Sequence, residues 1–132
     1  MRIGVDLDET ISALPEWFAL LTKAVITSGH EIHVITYRPA GTEPAIIAEL
    51  EGHGVAFTRL HVPTKSVDAP TWKGELAEKL ELDLMIEDSP EVLARMPART
   101  ARLWLCDPEV FDLDVCVQAM TSALAGKQLR HR

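Results

Sequence analysis

Cysteine is scarce in this chain. Cys106 and Cys116 are the only two, too few for a disulfide framework and without the CxxC spacing of a redox or zinc site. Both are expected to be free, buried thiols. No segment approaches the roughly 18 consecutive apolar residues of a membrane span. The first residues run directly into Ile3, Val5 and Leu7 with neither a basic leader nor a cleavage site. A cytoplasmic protein with no membrane partner is therefore expected. Positive charge is also in deficit: 13 Lys and Arg stand against 20 Asp and Glu, and the net charge of -7 repels polyanions, so a nucleic-acid polymer is not an expected partner. The basic cluster Lys127, Arg130, His131 and Arg132 reads as a solvated helix end. The histidines share no close spacing, which argues against zinc: His30 and His33 flank one apolar run, His53 and His61 bracket another, and His131 is terminal.

What the chain does contain is apolar residue, 47% of 132, enough for one sizeable core. No repeat, low-complexity tract or linker divides it, so a single domain over residues 1–132 is expected. Apolar alternation predicts a strand over Arg2–Leu7. Helical spacing of Trp17, Leu20, Leu21, Ala24 and Val25 predicts a helix over Glu16–Ser28, with Gly29 as its stop. His30–Ile35 reads as a second strand, Glu43–Gly52 as a helix, Val55–Leu60 as a third strand and Trp72–Leu80 as a third helix. Leu84–Ile86, Pro90–Arg95, Arg102–Leu105 and Leu113–Ala125 complete a strand, helix, strand, helix series. Strands alternating with helices imply a parallel, doubly wound α/β sheet, because parallel neighbours need crossovers and the crossover helices cover both faces. Ligands collect at the carboxyl edge of such a sheet.

Polar residues fall at that edge in a definite order. Strand one delivers Asp6, Asp8, Glu9 and Thr10 into a loop. Two carboxylates so close repel, which is easiest to understand if a cation neutralises them or one works as acid and base, although loop capping by Asp is the ordinary alternative. Strand two ends in Thr36, Tyr37 and Arg38, a hydroxyl and a guanidinium that suit phosphate oxygens but also fit a plain turn before Pro39. Lys73 sits near the start of a helix, where the dipole disfavours a cation unless an anion compensates. Leu84–Ile86 runs into Glu87, Asp88 and Ser89, so that Asp88 can share a cation with Asp6 or cap the following helix. Oxygen donors without Cys or a compact His partner favour Mg²⁺.

Taken in order, Asp6-Leu7-Asp8-Glu9-Thr10, Val34-Ile35-Thr36, Lys73 and Leu84 to Asp88 resemble the four motifs of the haloacid dehalogenase (HAD) superfamily. Thr36-Tyr37-Arg38-Pro39, Trp72-Lys73 and Ile86 to Pro90 are similar to its 5′(3′)-deoxyribonucleotidase-like branch, while Glu9 stands where that family commonly has Gly. The resemblance implies a three-layer, Rossmann-like domain and a phosphoric monoester hydrolase, a phosphatase working through an aspartyl-phosphate on Asp6. Asp8 would be its general acid and base. Thr36 and Lys73 would hold the phosphoryl group, with Tyr37 and Arg38 contacting the rest of the substrate. Mg²⁺ would be held by Asp6, the Asp8 carbonyl and Asp88, with Thr10, Glu87 and Glu91 supporting that shell. The spans from Thr10 to Thr36 and from Thr36 to Lys73 leave no room for a cap domain, so the site is expected to be open or covered by a second copy in a homo-oligomer. A nucleotide or another small phosphate is the expected substrate; DLDET also resembles phosphatases that act on phosphoserine. Two readings outside hydrolysis stand beside these: a non-catalytic Mg²⁺-binding regulatory module, and a receiver domain phosphorylated on Asp.

Overall fold

The computed structural model describes residues 1–106 together with Val117, Gln118 and Thr121. The expected helix over Leu113–Ala125, the basic terminus and Cys116 lie largely or wholly outside the described residues. Five parallel strands, β1 (Arg2–Val5), β2 (Glu31–Ile35), β3 (Arg59–His61), β4 (Leu84–Glu87) and β5 (Ala101–Trp104), form one sheet in the order β3-β2-β1-β4-β5. Between them run α1 (Pro15–Thr27), α2 (Glu43–Gly52), α3 (Ala69–Leu80) and the short α4 (Pro90–Ala94). The three-layer, doubly wound α/β architecture expected from the alternation is thus observed. Chain order reverses at β1, which has β2 on one side and β4 on the other.

Period-two alternation sorts the strand residues between two cores. Ile3, Val5, Ile32, Val34 and Ile86 pack with Phe18 of α1 and Ile46 and Leu50 of α2. Ile35 and Met85 pack with Ala77 of α3 and with Val92 and Leu93 of α4. Gly4 belongs to the second face, where a Cβ would come within 2.7 Å of Leu82 Cδ1 and Met85 Sδ. A larger residue there would force the Leu82 and Met85 side chains to shift. By the same alternation Asp6 and Glu87, each two residues beyond a residue of that face, are directed toward α3.

Four local expectations are corrected. Strand one stops at Val5, and Leu7–Ile11 forms a wide turn in which Ser12 N donates to Leu7 O at 3.0 Å and Glu9 is left-handed at φ 62°. Strand three is Arg59–His61 rather than Val55–Leu60, because Val55 and Phe57 pack against the core ahead of the ladder. Trp17, whose spacing set it on the apolar face of the first helix, is 45% exposed; Cys106, expected to be buried, is exposed.

Candidate functional site

Asp6 continues β1 past its last strand residue, its N–H donating to Ile86 O of β4 at 3.0 Å. It is 5% exposed. Lys73 stands in the second turn of α3, a helix capped by Asp68 accepting from Thr71 N at 3.0 Å. From there it reaches down to the sheet edge and donates to Asp6 Oδ1 at 2.6 Å and to Glu87 Oε2 at 2.7 Å. The second Glu87 oxygen accepts from Ser89 N at 3.3 Å. Thr10, held under the wide turn, donates to Asp6 Oδ2 at 3.1 Å and lies 3.3 Å from Asp88 Oδ1. Carboxylate oxygens of Asp6, Glu87 and Asp88 fall within 4.8 Å of one another.

Three carboxyl groups thus converge with one buried ammonium. Burial raises the Asp6 pKa, Lys73 opposes that rise, and the Asp88 charge adds to it. Burial, followed by the neighbouring Asp6 charge, pushes Glu87 up to about 8. For Lys73, burial works against the cation, but Asp6 and Glu87 outweigh it and hold its pKa above the ordinary value. The group therefore carries excess negative charge, which protons or a bound cation can offset. All three groups offer oxygen atoms, the donor type that hard divalent ions such as Mg²⁺ take.

At the neighbouring strand end, Thr36 N donates to His61 O at 3.1 Å, but its hydroxyl is fully buried and has no hydrogen-bond partner among the described residues. An unsatisfied buried hydroxyl costs about 1–3 kcal/mol.

Other expected residues are placed differently. The Asp8 carboxylate is outside the carboxylate group. It is 55% exposed and pairs with Arg38, so it does not face Asp6 as a general acid would. Arg38 is taken up by Asp8 and by Glu49. Tyr37 donates its hydroxyl to Val67 O and tilts against Trp72 with ring centroids 6.1 Å apart. Glu91 is exposed and accepts from Ser89 Oγ at 3.0 Å. Glu87, expected in a supporting place, is a full member of the group. Elsewhere, His33 and His61 meet at 3.0 Å, with His33 also 2.8 Å from Glu31.

No family model and no curated protein matches the chain. Among solved structures it is similar to a universal stress protein crystallised in complex with cAMP, at 18% identity and a TM-score of 0.53, over 80% of this chain and 95% of that one. At this identity the likeness is one of fold. It nevertheless corrects the expected family: the match falls on a universal stress protein, and nothing found supports membership of the HAD superfamily. The nucleotidase-like placement and the phosphatase activity, which rested on that membership, fall with it. The physical reason is that the carboxyl edge of any doubly wound sheet gathers polar residues from successive strand ends. Acids, a Thr and a Lys in that order are therefore less diagnostic of one family than they look.

Proposed function

We propose that the carboxyl edge around Asp6 is a binding site for a small phosphorylated ligand of nucleotide type, assisted by a divalent cation and without turnover. The observation that carries this reading is the convergence of Asp6, Glu87 and Asp88, the first two paired with one buried lysine, a cluster short of positive charge at the reversal of strand order. The unpartnered Thr36 hydroxyl adds a donor at the adjacent strand end. Asp6 and Asp88, with Glu87 beside them, would hold Mg²⁺. When bound, the ion would supply positive charge shared between these carboxylates and the phosphate oxygens. Lys73 keeps Asp6 and Glu87 in place, and Thr10 ties Asp6 to Asp88. The outward turn of Asp8 favours binding over hydrolysis, since proton transfer at a leaving group needs a carboxyl within hydrogen-bond reach.

The cAMP bound by the universal stress protein suggests the first probes. Calorimetric titration with cAMP, AMP and inorganic phosphate, each with Mg²⁺ or EDTA, is expected to show Mg²⁺-dependent binding of at least one nucleotide and no release of phosphate from AMP. Absence of binding to all three would refute the reading. No helix among the described residues is long and apolar enough to cross a membrane. A cytoplasmic setting, rich in nucleotides and Mg²⁺, suits the role. A second copy covering the open edge would appear as a ligand-dependent mass change in light scattering.

A further inference from the structure

Lys73 is saturated by two carboxylates, so a phosphoryl group arriving at the edge gains little from it. Two residues past Thr36 lies Arg38, whose side chain is 29% exposed. Its Nε donates to Asp8 Oδ2 at 3.1 Å and its Nη2 to Asp8 Oδ1 at 2.6 Å, a fork on a carboxylate. Its other side is held by Glu49 of α2, through Nη1 at 2.5 Å and Nη2 at 3.3 Å. The two acids differ in anchorage. Glu49 belongs to a helix and its side chain is 30% exposed; Asp8 belongs to the wide turn beside left-handed Glu9, and its side chain is 55% exposed.

The bidentate geometry that Arg38 offers Asp8 is the geometry a guanidinium offers phosphate. We propose that Arg38 is the outer anion donor of the site and that Asp8 is its built-in competitor: the phosphoryl group of the ligand displaces the Asp8 carboxylate from Arg38, while Glu49 keeps hold of the other side of the guanidinium. This rests on the carboxyl edge being a phosphorylated-ligand site. Exchange of one anion for another on the same donor leaves the charge of Arg38 balanced in both states. Asp8, already more than half exposed, returns to water at little desolvation cost. The device sets a threshold, because only an anion that outbids a local carboxylate is retained. A doubly charged phosphomonoester meets that condition better than a singly charged phosphodiester.

The test is a double-mutant cycle read by calorimetric titration of AMP in Mg²⁺ at low ionic strength, using the full chain. Asp8→Asn is expected to tighten AMP binding roughly two- to fivefold, the upper part of the range an exposed ion pair spans. Arg38→Gln is expected to weaken it about tenfold, with Arg38→Lys behaving similarly because it keeps the charge but loses the fork. Adding Asp8→Asn to Arg38→Gln is expected to change affinity by less than about twofold. That loss of effect separates competition for Arg38 from a general relief of negative charge. Equal tightening by Asp8→Asn with and without Arg38→Gln would overturn the proposal, as would unchanged affinity in a folded Asp8→Asn variant when wild type binds AMP. Wild-type failure to bind any of the three probes marks the failure of the site reading itself, with which this inference also falls.

Discussion

The two edges of the same sheet handle charge in opposite ways. At the amino edge, Arg2 pairs with Glu31 and Glu81 at 3.5 Å, and Arg99 approaches Glu78 and Glu81 at 3.8 and 3.7 Å, with side chains 45–68% exposed. An open cleft of about 420 Å³ lies among them, but cations and acids alternate along it and water screens each pair. At the carboxyl edge, Lys73, Asp6 and Glu87 have side chains 4%, 6% and 2% exposed, and Asp88 adds further negative charge beside them. A fold gains little from the first arrangement and is strained by the second. The lesson is that ligand binding is to be sought where charge is buried and unbalanced, not where ion pairs are most numerous.

The largest expected effect comes from breaking each edge in turn. Lys73→Met leaves Asp6 and Glu87 buried without their cation and is expected to cost about 3–5 kcal/mol. Arg99→Ala is expected to stay within about 0.5 kcal/mol of wild type. Urea unfolding of both variants checks the contrast, and similar losses at the two edges would erase it.

A smaller effect follows from proton linkage at the carboxyl edge. Burial holds Glu87 near 8 against an ordinary 4.5, so between those values the folded protein keeps a proton that the unfolded chain has released. Stability in EDTA is therefore expected to fall as pH rises through that window. Mg²⁺ should offset the loss most at the alkaline end, where no proton competes for the carboxylates. Chemical denaturation at pH 5.5 and pH 8.5, with Mg²⁺ or EDTA, reads both trends.

The smallest effect concerns Thr36. Replacing Thr36 by Val removes a buried hydroxyl that has no partner among the described residues and is expected to leave stability unchanged or raise it by up to about 1 kcal/mol. Ligand affinity should drop in the same variant. Thermal melts and nucleotide titration measure the two, and a clear loss of stability would show that the hydroxyl serves the fold instead.

Much of this arrangement was legible in the sequence, because hydrophobic period and turn residues report where strands end. The alternation through Ile3 and Val5, the runs at β2 and β4, and the helix start near Lys73 are enough to bring Asp6, Thr36, Lys73, Glu87 and Asp88 to one edge. Strand three was misread because Val55 and Phe57 alternate for packing rather than for pairing. The direction of Asp8 was hidden for two reasons. The turn carries left-handed φ on Glu9, a residue that gives no glycine-like warning. Its partner Arg38 is held by Glu49 eleven positions further on, beyond any local pattern. The contact between His33 and His61 likewise depends on how β3 registers against β2, which spacing along the chain does not express. The family resemblance went astray for a different reason: it treated convergence at a sheet edge, a property of the architecture, as the signature of one chemistry.

The proposal that Asp6 and Asp88, with Glu87 beside them, would hold a divalent cation is open to direct measurement. Its most direct test is titration with Mn²⁺ at pH 8, following the electron paramagnetic resonance signal of the free ion, for wild type and for Asp88→Asn. One Mn²⁺ per chain is expected to bind, displaced by excess Mg²⁺ and weakened at least tenfold by Asp88→Asn. Free Mn²⁺ undiminished by wild-type protein, or binding untouched by Asp88→Asn, would contradict it.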